Sequence, residues 1–210
     1  MLYRNLIWDF DGTLFDSYPH VAAAYHKALS DFGRTVDAED LMAHLKISFN
    51  STHEYLGSSP ELVARFKEYE ADMTLEPVVY PYEGVVELIR DTAAAGVRHF
   101  LFTHRSKQAL DYLEREGILD CFCGWVTKSD RDRGIFVRKP KPDSILYLLK
   151  EYGIDPADCA MVGDREIDVA SGIGAGTRGI LFDEFHSLGE TAAQHRVYTI
   201  AELRALLFSS

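Results

Sequence analysis

From Pro81 onward the chain repeats one order, a short apolar run followed by an amphipathic segment, and this alternation constrains the fold more than any other feature. Spacing and stop residues predict helices over Glu83–Ala95 (ended by Gly96), Ser106–Glu116 (ended by Gly117), Pro142–Tyr152, Ile167–Ala175 and Ala201–Leu207. Between them lie predicted strands over Val97–Phe102, Gly124–Thr127, Cys159–Val162 and Arg178–Phe182, and Leu2–Trp8 reads as a first strand. Strands separated by helices imply right-handed crossovers and a parallel sheet covered on both faces. The expected class is therefore α/β with a Rossmann-like parallel core.

One stretch breaks the alternation. Val21, Ala24, Tyr25, Ala28, Leu29 and Phe32 fall on one helix face, which Gly33 stops. Asp37 caps a second short helix through Leu45, and Ser59-Pro60-Glu61 opens a third through Met73. Lys46–Asn50 between them reads as a loop. The expected organisation is an α/β core from 1–16 and 80–210, with an all-α domain from 17–79 inserted after the first strand.

Composition narrows the function classes. The 210 residues are 47% hydrophobic and 26% charged, with a formal net charge of −11. Such a chain buries a sizeable core without disulfides, and an acidic surface repels nucleic acid and anionic lipid. No apolar run approaches a membrane span, and Arg4 and Asp9 interrupt any signal-peptide core. Three cysteines, Cys121, Cys123 and Cys159, complete no zinc set and read as reduced core thiols. These features lead us to expect a soluble cytoplasmic protein. Asn50-Ser51-Thr52 fits a glycosylation pattern that means nothing without secretion.

In open parallel sheets, ligands sit beyond the carboxyl ends of the strands. There the sequence places Asp9-Phe10-Asp11-Gly12-Thr13, two carboxylates that need a cation if held close, or else a solvated turn. An EF-hand reading fails, because Leu14 and His20 occupy its glycine and closing glutamate positions. Thr103 is either a phosphate contact or a helix N-cap. Lys139, presented on a backbone stiffened by Pro140 and Pro142, is either functional or part of a surface charge run. Asp164 and Asp168 are four apart in Gly163-Asp164-Arg165-Glu166-Ile167-Asp168, and Asp164 alone could be a cap. Gly174-Ala175-Gly176-Thr177-Arg178-Gly179 satisfies a dinucleotide fingerprint, but it follows a helix and leads into a strand, the reverse of what that site requires.

Taken in order, these four signals resemble the motifs of the haloacid dehalogenase-like hydrolase superfamily, and the helical insert lies where that family carries its small cap. Leu14-Phe15-Asp16-Ser17 and Thr199-Ile200-Ala201-Glu202-Leu203 match further. The chain looks most like the phosphoglycolate-phosphatase and β-phosphoglucomutase-like branch. The resemblance implies Asp9 as nucleophile and Asp11 as general acid and base. Thr103 and Lys139 would hold the phosphoryl group, with Gly12 and Thr13 in the substrate loop. Mg²⁺ would sit on Asp9, the Asp11 carbonyl and Asp164, with Asp168 completing the metal set by positioning a bound water or Lys139. Family dehalogenases and phosphonate-cleaving members lack the second acid, so Asp11 favours phosphate esters.

Two departures stand out. His104 stands where relatives often have Asn and Arg105 follows it, both expected substrate contacts, and the mutases' early cap His falls on Val21, with His20 beside it. The expected activity is Mg²⁺-dependent hydrolysis of a small phosphorylated metabolite by a monomer or weak homodimer, without nucleic acid or membrane. Lys46 and Arg105 suggest an anionic substrate end, as in phosphoglycolate; Lys46 could instead cap its helix dipole. The alternatives are a phosphomutase, a phospho-receiver and a non-catalytic phosphate-binding relative.

Overall fold

The computed structural model describes residues 1–186 and 189–209. The chain opens with β1 (Asn5–Trp8) and β2 (Phe15–Asp16), then α1 (Tyr18–Asp31), α2 (Ala38–Ile47), α3 (Phe49–Tyr55) and α4 (Pro60–Glu70). It continues through β3 (Tyr80–Pro81), α5 (Val85–Ala94), β4 (Arg98–Phe102), α6 (Gln108–Arg115), β5 (Phe122–Val126) and α7 (Asp143–Glu151). It closes with β6 (Cys159–Gly163), α8 (Glu166–Gly174), β7 (Arg178–Phe182), β8 (His195–Val197) and α9 (Ile200–Leu207). Two compact units result, Met1–Phe15 with Pro81–Ser210, and Asp16–Tyr80.

The larger unit is built on a six-stranded sheet in the order β5-β4-β1-β6-β7-β8, every pair parallel. β1 is central: Ile7 lies beside Phe100 of β4 on one edge and Met161 of β6 on the other. A strand covered on both faces has no use for polar alternation, and Asn5-Leu6-Ile7-Trp8 is buried throughout. Ile7, Phe100, Phe102 and Met161 pack with Ile145 and Leu148 of α7 into one apolar cluster. Each such fully buried side chain contributes roughly 1.5–3 kcal/mol.

One polar chain crosses this core. The Trp8 indole N–H donates to Nδ1 of the fully buried His99 at 2.9 Å. The other ring nitrogen, Nε2, therefore carries the proton and faces Thr92 Oγ1 at 3.1 Å. Thr92 in turn donates to the Leu88 carbonyl at 2.6 Å. Burial draws the His99 pKa down to about 4, so the ring is neutral.

The smaller unit is all helical between its end strands. Tyr25 of α1 stacks on Phe66 of α4 at 3.8 Å, inside a cluster that includes Leu29, Leu41, Leu45 and Leu62. His20 is buried there, its ring nitrogens 3.1 Å from the carbonyls of Glu70, Leu75 and Pro77.

Three features differ from those the sequence predicts. The stretch Lys46–Asn50 is helical except at Ser48, because Ser48 turns extended and its hydroxyl caps α3 by accepting from the Ser51 N–H at 3.0 Å. The edge strand β8 escaped notice, since His195-Arg196-Val197 has neither length nor an apolar run. Only Cys159 is a core thiol; Cys123 is exposed and Cys121 half-buried.

Candidate active site

The strand order explains why distant residues meet. β4, β1 and β6 are neighbours and point the same way, so the residues that follow them, Thr103, Asp9 and Asp164, emerge at one end of the sheet. Pairing persists one residue beyond β1 and β4: the Asp9 N–H donates to the Val162 carbonyl at 2.9 Å, and the Thr103 N–H to the Val126 carbonyl at 3.1 Å. The chain then turns sharply at Gly12, whose φ of 76° is left-handed, and the Gly12 N–H closes the turn on the Phe15 carbonyl.

Lys139 is the hub. Its Nζ lies 2.6 Å from Asp9 Oδ1 and 2.6 Å from Asp168 Oδ1, and all three side chains are buried. Burial pushes the Asp9 carboxyl up to about 6 against the pull of Lys139, and Asp168 adds to the rise. Asp168 is also desolvated, yet Lys139 and Arg165 outweigh burial and hold it below the usual carboxylate range. Its Oδ2 accepts the Arg165 backbone N–H at 3.1 Å. Close approach is built in, because a Cβ on Gly163 would stand 2.2 Å from Asp168 Cβ.

Asp9, Asp164 and Asp168 each offer a carboxylate oxygen, and these atoms lie within 4.8 Å of one another. Among the described residues, none donates a hydrogen bond to buried Asp9 Oδ2. Hard oxygen donors at this spacing suit a divalent cation such as Mg²⁺. Asp168 is already engaged by Lys139 and the Arg165 N–H.

The other expected site residues separate into distinct surroundings. Asp11 Oδ1 receives Arg105 Nη2 at 2.7 Å and Nε at 3.0 Å. The Arg105 side chain is buried and lies over the rings of Phe10 and Tyr112. Its charge is thus directed at the acid, not at solvent. Thr103 is fully buried and its Oγ1 accepts the Arg105 N–H at 3.0 Å. His104 Nε2 accepts the Lys139 N–H at 3.0 Å, and burial, with Lys139, Arg165 and Arg138 nearby, holds its pKa at about 3. His104 is therefore a neutral anchor for the Lys139 backbone. Thr13 is buried, and among the described residues its hydroxyl has no hydrogen-bond partner. Lys46 lies in the last turn of α2, in the smaller unit. There it counters part of the burial-driven rise in the Asp16 pKa.

Sequence reasoning passed over Arg165, whose guanidinium approaches Asp9, Asp164 and Asp168 at 3.6–3.8 Å. The only signal was its place directly after Asp164.

Comparisons with known proteins agree on a family. The chain is 28% identical to phosphoglycolate phosphatase 1 of Pseudomonas aeruginosa, over 98% of this chain and 79% of that protein. It is 24% identical to pyrophosphatase PpaX of Bacillus cereus, over 85% of this chain and 82% of that one. Among solved structures, a hydrolase from Streptococcus pneumoniae shares 34% identity, with 99% of both chains covered and a TM-score of 0.69. A subfamily IA hydrolase from Geobacter sulfurreducens shares 25% identity over 98% of this chain and 97% of its own, with a TM-score of 0.74. The family model described as haloacid dehalogenase-like hydrolase matches residues 3–176, most of the sequence, and the chain belongs to that family.

Proposed function

We propose that this protein is a Mg²⁺-dependent phosphatase that hydrolyses a small phosphorylated metabolite through an aspartyl-phosphate. The observation that carries the reading is the buried Asp9–Lys139–Asp168 array, with Lys139 Nζ 2.6 Å from each carboxylate. Burying two carboxylates around one ammonium is costly unless the charges serve a purpose. An Asp9 carboxylate oxygen attacks phosphorus as the ester P–O bond breaks, forming an acyl phosphate. Asp11 gives its proton to the departing alkoxide, then accepts one from the water that cleaves the acyl phosphate. Lys139 holds phosphoryl oxygens and is itself oriented by Asp168, while Thr103 lines the same strand end. Gly12 provides the turn that carries Asp11 and Thr13. Asp9, Asp164 and the Asp11 carbonyl would hold Mg²⁺, which when bound offsets the negative charge on the phosphoryl group.

The substrate we favour is phosphoglycolate-like. Two features support it: relatives bear that name, and a second acid suits an alkoxide leaving group. The helical segment 17–79 acts as the cap in this reading, and the α/β segments 1–16 and 80–210 as the core. We place the enzyme in the cytoplasm as a monomer or weak homodimer. A phosphomutase is disfavoured because His20 is buried against three backbone carbonyls.

The test is release of phosphate from p-nitrophenyl phosphate and phosphoglycolate, with inorganic pyrophosphate as comparator. Turnover should require Mg²⁺, stop with chelator and vanish in Asp9→Asn. Wild-type-like turnover in that variant would overturn the covalent route.

A further inference from the structure

Arg165 has no part in the steps above, yet it occupies a charged and mostly enclosed position. Nη2 lies 3.6 Å from Asp9 Oδ2, and Nε lies 3.7 Å from Asp164 Oδ1 and 3.8 Å from Asp168 Oδ2. The side chain is 14% exposed. Each distance exceeds that of a hydrogen bond, so the attraction to these three carboxylates is Coulombic and spread among them. Lys139 differs in kind: at 2.6 Å from two carboxylates and with no exposure, it is fixed.

The local charges decide what Arg165 does. Three carboxylates carry −3, and Lys139 and Arg165 return +2, leaving −1. A divalent ion on Asp9 and Asp164 would share those oxygens with the guanidinium and meet its positive charge at close range. In a mostly buried site, where screening is weak, that repulsion is large. Lys139 cannot relieve it, being buried and doubly paired. Arg165 can, because its side chain retains some exposure and its contacts with the three carboxylates are all longer than a hydrogen bond.

We propose that Arg165 is an internal counter-cation that competes with the divalent ion for Asp9 and Asp164, and so sets the affinity of the site for that ion. The inference rests on the Mg²⁺ reading above. Arg165 keeps the carboxylate cluster stable when no metal is bound and withdraws when metal enters. Cation binding is therefore weaker than three carboxylates alone would make it.

Chelator-stripped full-length protein is titrated with MgCl₂ by calorimetry, and its melting is followed with and without Mg²⁺. Arg165→Gln should bind Mg²⁺ about tenfold more tightly than wild type, since a neutral amide does not repel the ion. Arg165→Lys should stay within about threefold of wild type because it keeps the charge. The metal-free melting temperature of Arg165→Gln should fall, and saturating Mg²⁺ should close the gap. If the metal-free variant unfolds, Mg²⁺ should refold it at concentrations below the wild-type Kd. Unchanged or weaker Mg²⁺ affinity in a folded Arg165→Gln, or failure of Mg²⁺ to rescue an unfolded one, overturns the proposal. If wild-type turnover nonetheless requires Mg²⁺, only the role of Arg165 has failed. If neither protein binds Mg²⁺ and turnover ignores chelator, the metal reading fails with it.

Discussion

Replacing His99 by phenylalanine removes the middle of the Trp8–His99–Thr92 chain and makes a pH-dependent stability term measurable. In the folded protein Nδ1 must accept from the Trp8 indole, which can only donate, so protonating the ring sets two donors against each other. The folded-state pKa is about 4; an unfolded histidine titrates near about 6.5. The unfolded chain therefore takes up the proton first, so the stabilisation is complete above about pH 7.5 and drains as pH falls toward 4. Integrating the two titrations gives a loss of about 2 kcal/mol between pH 7.5 and pH 5. At pH 7.5 the variant should be less stable by about 1–3 kcal/mol, the cost of a buried indole N–H without an acceptor. Urea unfolding at both pH values measures the difference directly, because every other titrating group is common to the two proteins. The gap should narrow by about 2 kcal/mol at pH 5. Parallel pH dependences for wild type and variant would show that His99 is not held neutral by this chain.

Other outcomes bear on the site. Asp11→Asn should slow turnover of alkyl phosphates by about 10²–10⁴-fold, and release of nitrophenolate by less, because that leaving group needs no proton; equal losses would remove proton transfer from Asp11. Gly163→Ala should displace Asp168, since the added Cβ would lie 2.2 Å from its Cβ; with Lys139 unanchored, kcat should fall more than the melting temperature suggests, and a variant of wild-type kcat would refute that coupling. Lys46→Ala should raise KM for phosphoglycolate while sparing p-nitrophenyl phosphate; equal effects on both would leave Lys46 with a structural role only.

The sequence disclosed those parts of the site that follow directly from strand periodicity. Asp9, Thr103 and Asp164 each terminate an apolar run, and a parallel sheet gathers such ends, so their meeting could be anticipated before any coordinates. The glycines from Gly174 to Gly179 were legible for the same reason: their order relative to helix and strand is wrong for a nucleotide, and Gly179 proves to make room for Val169, 2.8 Å from where its Cβ would stand. Partner choice among side chains was not legible. His104 and Arg105 are neighbours in sequence, yet one ties down the Lys139 backbone and the other embraces Asp11. No local pattern distinguishes those fates, because each partner comes from a segment far away in the sequence. α3 and β8 were missed for a different reason, being short and lacking the apolar rhythm that periodicity detects.

The central position of β1 has a consequence for biosynthesis. Asn5–Trp8 leaves the ribosome before either neighbour, so its two edges wait for Arg98–Leu101 and Cys159–Val162. At about 5–20 residues per second, the second partner follows on the order of 10 s later. During that interval an apolar strand with open edges is a target for wrong pairing, and folding must close loops of about 90 and about 150 residues. Asp9 travels on that strand, and its ammonium partner and neighbouring carboxylates come from the late segments at Lys139, Asp164 and Asp168. The nascent chain thus carries its reactive carboxylate long before it has the charges that make it reactive, and no fragment ending before the docking of β6 should possess a working centre.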